Sequence, residues 1–581
     1  VLEGLPIREE LTMEYRKHPL AAALLIAASF SLGPVAAEPS YHQGVVANLA
    51  SGKMSGSQAN DGTTLVWLGV PYASPPVGAL RWKAPEPLAA SSISLDATKS
   101  GAPCPQLLSG KLVGSEDCLT LDISRPNSSD AGLPVLVYIH GGNNQGGTSQ
   151  EIDIKHLAVT ANAVVVSVNY RLGLLGFNSL PALKTGRNEE SSGNYSLLDI
   201  SQSLAWIKAN IAAFGGDAGN VTVSGFSAGG RDVMAMLISP IFKGQFQKAI
   251  SFSGGMTITD AEASAKLTAK ALAPLVVADK VKTDETQAYE WLLTDSPDVG
   301  DYLRGIAADR LAGLMTNAGI RMAVFPHLFN DGVVLPKEGF ATASYNSVPL
   351  LMLTGSDEFS LFARGDSEFA ALKDDELIAD AARLRNYAFA TNYGSKLYEL
   401  FNAQDSAEAM FGRYKAPIYT MRIAWGGDSA IVGDRMAKLY GSFHGVWIPF
   451  MTSATTGFSS LFPAAFDNAG ARDLTDKLGG YLGNFFRTGD PNGTGLVTWK
   501  SWESASSGPT QLVVDADAQT AIIKMTDERT GYDDVLAEME GDQTISAVDK
   551  KRLIEKVLNG RWFSRRLDLH FGNSSLWIGI E

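Results

Sequence analysis

The stretch NVTVSGFSAGGRD (residues 220–232) decides how this chain is read. A β-branched apolar run leads into Gly-x-Ser-x-Gly, and an apolar segment with helical spacing follows. In a chain with 58 glycines the five-residue pattern alone is weak. Its surroundings give it weight. In a strand–turn–helix elbow the serine occupies a sharp turn, and the flanking glycines let the backbone pass without clashes. The turn lifts the hydroxyl above the carboxyl ends of the strands, and the helix amino terminus behind it favours developing negative charge. Ser227 is therefore a candidate nucleophile.

Working outward, the runs LPVLVYI (133–139), AVVVSV (163–168), VTVS (221–224), AISFS (249–253) and PLLMLT (349–354) are short and nearly all apolar. Such runs suit a parallel sheet covered on both faces. Between the second and third lies SLLDISQSLAWIKANIAAF. Its Leu197, Ile200, Leu204, Ile207, Ile211 and Phe214 recur at spacings of three and four, which is one helix face. Strand, helix, strand thus leads straight into the elbow. The expected class is α/β: a central, mostly parallel sheet flanked by helices.

The 581 residues are 19% charged and 45% hydrophobic, which gives ample material for a large core. A formal net charge of −14 argues against a nucleic-acid partner. From Met13 the chain reads as a secretory signal. Arg16, Lys17 and His18 form a basic start, residues 20–32 are apolar, and Val35-Ala36-Ala37 is a small-residue cleavage site. The expectation is a signal peptide over 13–37, an upstream segment of no assigned role over 1–12, and a secreted or periplasmic protein with no stable membrane anchor after cleavage. An uncleaved anchor is the alternative. The only cysteines, Cys104 and Cys118, suggest one disulfide in an exported protein, with two free thiols as the alternative. They are too few to imply a metal site.

An acyl-transfer site also needs a base, an acid to orient it, and donors for an oxyanion. YIHGGNNQGG (138–147) follows a strand and offers the backbone N–H groups of Gly142 and Asn143, beside that of Ala228 after the nucleophile. Of the seven histidines, His444 in YGSFHGVWIPF lies late in the chain between small residues, and His327 is its rival. Asp357 and Glu358 both follow the strand at 349–354, and the residues alone do not choose between them.

With these parts in view, the chain resembles the type-B carboxylesterase/lipase family of α/β-hydrolases, which includes the cholinesterases. The resemblance covers roughly residues 43–515. It rests on WLGVPYASPPVGALRWKAPEP, SEDCLTLDISRP, VSVNYRLGLLGF, the long stretch GNYSLLDISQSLAWIKANIAAFGGDAGNVTVSGFSAGG, FNDGVVLP and GDPNG, in the family's order. It implies large helical insertions around an active-site gorge and a catalytic domain over 38–531. Residues 532–581 are left as a tail of unknown role. It implies Ser227 as nucleophile, Glu358 as acid, His444 as base, and Gly142, Asn143 and Ala228 as oxyanion donors. Cys104 and Cys118 resemble the family's first disulfide. No cofactor is implied, and the partner is a small-molecule ester.

Three positions depart from the family. Asn143 replaces a glycine of the oxyanion loop, and asparagine best tolerates the positive φ required there. Arg231 and Asp232 replace small residues after Gly230, and Trp447 stands where an acidic residue is common. Arg231 must pair internally, most simply with Asp232, or face the cleft. With Asn144 it is the substrate-binding candidate, suited to an acyl group carrying extra carboxylates. Tricarballylate esters of fumonisins, cleaved by bacterial members of the family, are one such class; simple aliphatic or aryl esters are the other expectation. An amidase or acyltransferase using the same triad, and a catalytically inert binding protein on the same fold, are the rival functions.

Overall fold

The computed structural model describes residues 40–577, except 50–51, 90–93, 109, 185, 315–317, 453–460, 504–507 and 575. The signal segment lies outside the described residues. Residues from Pro39 onward form one compact unit. At its centre stands an eleven-stranded sheet. In chain order its strands are β1 (Ser57–Gln58), β2 (Thr64–Pro71), β3 (Thr120–Pro126), β4 (Leu133–Ile139), β5 (Val164–Val168), β6 (Gly216–Phe226), β7 (Lys248–Phe252), β8 (Leu350–Gly355), β9 (Ile418–Ile423), β10 (Gln511–Ala516) and β11 (Ala521–Thr526). In space the order is β11-β10-β9-β8-β7-β6-β4-β5-β3-β2-β1. Strands β5 to β10 run parallel with β4, and the outer strands on both sides are antiparallel.

The five apolar runs seen in the sequence are β4 to β8, the middle of this sheet. Their side chains alternate between two cores. Val135, Val137 and Ile139 face one layer with Val164, Val166 and Val223. Leu136 and Tyr138 face the other with Val165, Phe226 and Phe252. A strand buried on both faces needs apolar residues at every position, which is why these runs show no polar alternation.

Helices cover both faces. The relevant ones are α1 (Ile154–Ala161), α2 (Tyr195–Asn210), α3 (Ala228–Ile238), α4 (Ala381–Glu399), α5 (Ala469–Thr488) and α6 (Tyr532–Gly541). The six apolar residues that predict α2 are all buried, though Ile211 and Phe214 fall in a closing 3-10 turn. Each such side chain contributes about 1.5–3 kcal/mol on burial. Helix α4 belongs to the long insertion between β8 and β9. The segment from 532 onward docks on the body: Val535 and Met539 of α6, then Leu553, Val557, Trp562 and Phe563, share a core with Tyr393, Leu397 and Phe401. Among the described residues no helix is long and apolar enough to cross a membrane.

At the joint of β6 and α3, Ser227 takes φ 56° and ψ −114°, a region costly for a residue with a Cβ. Its N–H donates to the Phe252 carbonyl at 2.8 Å, and its carbonyl accepts from Arg231 N at 3.0 Å. A Cβ on Gly225 would lie 2.2 Å from the Gly229 carbonyl oxygen. One on Gly229 would lie 2.1 Å from that of Ile139. Both glycines are required because backbone meets backbone there.

Gly229→Ala should therefore cost about 2–3 kcal/mol of stability, the price of overpacking against backbone, and most of the activity. Gly479→Ala is the control: it sits mid-helix in α5 with open space around it, and should leave stability unchanged or raised by up to about 1 kcal/mol. Thermal unfolding of the two variants reads the contrast.

Candidate active site

The carboxyl ends of the parallel strands open on a cavity of about 670 Å³, lined among others by Ser227, His444, Gly142, Asn143, Phe362 and Arg561. That size suits a small-molecule ligand. Ser227 reaches it from the elbow. Gly142 and Asn143 reach it from the loop after β4, and His444 from the loop before the short helix Trp447–Met451.

The imidazole of His444 is held from behind. Its Nδ1 meets Glu358 Oε2 at 2.5 Å. The other carboxylate oxygen, Oε1, accepts from Gly355 N at 2.6 Å, Ser253 Oγ at 2.5 Å and Thr354 Oγ1 at 3.3 Å. Four contacts thus fix one carboxylate. His444 Nε2 is buried with no hydrogen-bond partner among the described residues. Asp357, which the residues alone could not separate from Glu358, does something else: its Oδ2 accepts from Ser442 N at 2.9 Å, and its own N–H donates to the Ser442 carbonyl. It clamps the backbone of the histidine loop. His327 lies apart from this group. It is fully buried between Phe177 and Phe325, with Nδ1 on the Phe325 carbonyl.

The loop after β4 carries consecutive left-handed residues: Gly142 at φ 97°, Asn143 at 56° and Asn144 at 55°. The N–H groups of Gly142 and Asn143 have no partner among the described residues. Ala228 opens α3, where first-turn N–H groups have no partner inside the helix. Three backbone donors are thus free beside one serine. The loop is held by side chains from several directions. Gln106 brackets Gly147 with two hydrogen bonds of 2.8 Å. It lies inside the loop closed by the Cys104–Cys118 disulfide. Glu151 accepts from Gly141 N at 2.9 Å and from the Tyr138 hydroxyl at 2.7 Å.

Neither of the two substrate-binding candidates faces the cavity. Arg231 is fully buried. It does not pair with Asp232; its Nη2 donates to Asn143 Oδ1 at 2.8 Å. Asn144 donates to Asp232 Oδ1 at 2.9 Å and accepts from the Tyr170 hydroxyl at 3.1 Å. The reason is geometric: the first turn of α3 lies directly behind the loop after β4, so its long side chains point inside. Trp447 stacks on Phe252 at 3.9 Å and meets Phe226, which in turn packs on His444 at 4.6 Å. His444 thus rests on an aromatic bed.

Several residues at the site carry no sequence motif. Arg561, from the segment after 532, reaches the cavity wall. Phe563 lies under the Arg231 guanidinium at 5.4 Å. Tyr398 of α4 packs 5.7 Å from His444, and Ser253 supports Glu358. Their sequence distance from the elbow hides them. Among the described residues no group of three His, Cys, Asp or Glu could hold a metal ion.

Burial pushes the Glu151 carboxyl up to about 7, against the pull of Tyr138 and Gly141, and pushes Asp232 up to about 7 against Asn144. A carboxyl raised in the fold contributes stability that is complete below its unfolded pKa of about 4.5. That contribution fades as pH rises through 7. Glu151→Gln should therefore gain on the parent between pH about 4.5 and 7, by no more than about 3 kcal/mol, and then run level. Thermal midpoints of both proteins across pH 4–9 test the sign; a gap that narrows with rising pH refutes it.

Comparison with known proteins places these features in context. Residues 43–415 match the model of the carboxylesterase family. The chain is 31% identical to para-nitrobenzyl esterase of Bacillus subtilis (strain 168) over 489 residues, 80% of this chain and 94% of that one. It is 31% identical to the human cocaine esterase over 483 residues, 74% and 81% of the two chains. A solved structure of a PNB esterase superposes with a TM-score of 0.63 at 28% identity, covering 83% of this chain and 97% of that chain. A carboxylesterase of Geobacillus stearothermophilus superposes with a TM-score of 0.63 at 25% identity, covering 83% and 98%.

Proposed function

We propose that this chain, which belongs to the carboxylesterase family and is a carboxylic ester hydrolase of the α/β-hydrolase fold, cleaves its ester through an acyl-enzyme on Ser227. The observation that carries the reading is the 2.5 Å hydrogen bond between Glu358 and His444 Nδ1, beside a cavity that both His444 and Ser227 line. His444 takes the proton of Ser227 as Oγ attacks the ester carbonyl. The tetrahedral oxyanion meets the N–H groups of Gly142, Asn143 and Ala228. His444 returns the proton to the leaving alcohol, and water then hydrolyses the acyl-enzyme with the same base. Glu358 holds the imidazole tautomer and stabilises the imidazolium. The sequence of residues 13–37 supports export to the periplasm or beyond.

A second, finer reading concerns the substrate: an ester carrying additional carboxylates, of which fumonisin tricarballylate esters are an example. Its support is Arg561. The guanidinium shares Asp366 with a second cation, at 2.8 Å from Arg561 Nη1 and 3.9 Å from Arg321 Nη2. Two cations against one carboxylate leave positive charge at the cavity wall. Burial and the neighbouring Arg321 lower Arg561 only to about 10, so it stays charged at neutral pH. Its Nε and Nη1 are engaged by Gly319, Val557 and Asp366, and Nη2 has no protein partner among the described residues.

Ser227→Ala should keep the fold and lose several orders of magnitude in kcat, and an organophosphate should label Ser227 in the parent. Glu358→Gln should cost far more turnover than Asp357→Asn, since Asp357 touches only backbone. Labelling at another serine, or equal losses in the two acid variants, would overturn the assignment. Matched nitrophenyl esters and anilides separate esterase from amidase.

A charge-assisted hydrogen bond is worth about 1.5–3 kcal/mol. Arg561→Gln should then lower kcat/KM for an ester bearing a second carboxylate by roughly 10- to 150-fold, and leave a neutral short-chain ester nearly unchanged. Asp366→Asn should shift the preference the other way. Parallel losses on both esters would reject the acidic-substrate reading and leave the esterase reading standing.

A further inference from the structure

Two buried groups behind the nucleophile are not used by the mechanism above. The first is the Arg231 guanidinium. It is enclosed, with one hydrogen bond to Asn143 Oδ1, a long contact from Nη1 to Met322 Sδ at 3.6 Å, and a buried Nε that has no partner among the described residues. Its sequence neighbour Asp232 is turned toward Asn144. Among the described residues no carboxylate forms an ion pair with it. Burying an unpaired charge is costly, so this cation sits at the acyl site at the expense of stability.

The second group is Tyr398. Its ring is completely buried, stacked on Phe401 at 5.7 Å and Phe563 at 5.6 Å, with the edge of Phe362 at 5.7 Å and the His444 ring at 5.7 Å. Its hydroxyl lies beside that of Ser227, with Arg231 and Glu358 as its charged neighbours. Yet among the described residues the hydroxyl makes no hydrogen bond of good geometry, Ser227 being the neighbour whose hydroxyl reaches toward it. A buried, unpartnered O–H is rare, because leaving it so costs about 1–3 kcal/mol. A phenylalanine would fill the same aromatic stack without that cost. Burial pushes the phenol above its usual range, so it remains a donor.

We propose that Tyr398 is a positioning residue for the nucleophile: its O–H donates to Ser227 Oγ when Oγ carries negative charge, under the field of the Arg231 cation. The step it favours is deacylation. Water adds to the acyl carbonyl and gives its proton to His444 Nε2. The tetrahedral intermediate then collapses, the carbon–Oγ bond breaks, and Oγ keeps the electron pair until the His444 proton reaches it. During that interval Tyr398 O–H is the second donor on Oγ. In acylation the same charge builds on Oγ as His444 takes its proton, but the hydroxyl oxygen is already a fair acceptor before attack, whereas the ester Oγ of the acyl-enzyme is a poor one, so the phenol lowers the acylation barrier less. Arg231 and Asn143 complete the arrangement: one guanidinium fixes an oxyanion-loop side chain and polarises the phenol.

The inference rests on Ser227 as nucleophile, and the experiment separates the two. Tyr398→Phe removes one oxygen and keeps the ring. Stopped-flow hydrolysis of para-nitrophenyl acetate should show an acylation burst near the parent rate, a steady-state rate about tenfold lower, and a thermal midpoint that does not fall. KM should drop with kcat, since the acyl-enzyme accumulates. Peptide mapping after organophosphate labelling should still find Ser227. In a double-variant cycle, Arg231→Lys keeps the charge but draws it away from the phenol, so its effect should be smaller in the Tyr398→Phe background than alone. A Tyr398→Phe protein with unchanged burst and steady-state rates would make Tyr398 a packing residue and overturn the proposal. So would equal losses in both phases accompanied by a lower thermal midpoint. Additive effects in the cycle would remove Arg231 from the role. Labelling at a different serine would instead sink the nucleophile assignment, whatever Tyr398→Phe does.

Discussion

The structure turns on one backbone contact, the approach of helix α3 to the end of strand β4 with no side chain between them. A Cβ on Gly229 would sit 2.1 Å from the Ile139 carbonyl oxygen. This closeness forces the chain from β6 into α3 through a turn that Ser227 completes at φ 56°. The strain is held by the hydrogen bonds of Ser227 N to Phe252 and of Arg231 N to Ser227. The same contact sets the Gly142–Asn143 loop, which begins where β4 ends, beside Ala228 N. Ser227 and the backbone N–H groups beside it are thus fixed by one packing constraint.

The second left-handed segment needs more support, because Asn143 and Asn144 carry side chains. The fold supplies it by bonding both asparagines inward, Asn143 to Arg231 and Asn144 to Asp232 and Tyr170. Gln106 and Glu151 hold the loop's two ends. Groups of this kind are expensive to bury. Their concentration here, with unpartnered atoms on Arg231, Asp232, Tyr398 and His444, marks a region where stability is given up for preorganisation.

Much of this was legible in the sequence, and the reasons differ by residue. Strands β4 to β8 were visible because a doubly covered strand leaves an unbroken apolar run. Helix α2 was visible because its apolar residues recur at helical spacing, although residues 195–200 are buried on every side. Asn143 at positive φ followed from asparagine's tolerance of that region. The outer strands were not seen. Strand β11, with one face half-open, carries a mixed pattern that resembles a loop. The choice between Asp357 and Glu358 needed geometry, because adjacent residues point in opposite directions and only coordinates say which meets the imidazole. Arg231 was expected to reach Asp232 or the cleft. It does neither, since sequence adjacency on a helix puts the two side chains about 100° apart. Tyr398, Arg561 and Phe563 were invisible, because they reach the site through the docking of segments far along the chain, for which no local pattern exists.

This division separates two functions of the chain. The family match ends at residue 415 and contains the elbow, the oxyanion loop and Glu358. His444, Arg561 and Phe563 all lie beyond it. His444 is bound to a fixed place by its hydrogen bond to Glu358, so its loop has little freedom to vary. Arg561 has no such tie, its bonds being to Asp366 and to backbone carbonyls, whereas Phe563 lies under the Arg231 guanidinium and stacks on Tyr398. The terminal segment docks through Val535, Met539 and Leu553 on the same core as Tyr393, Leu397 and Phe226, so Arg561 is presented to the cavity by packing and not by the elbow. On the role proposed for Arg561, substrate preference would rest on a part of the chain that the family match does not cover.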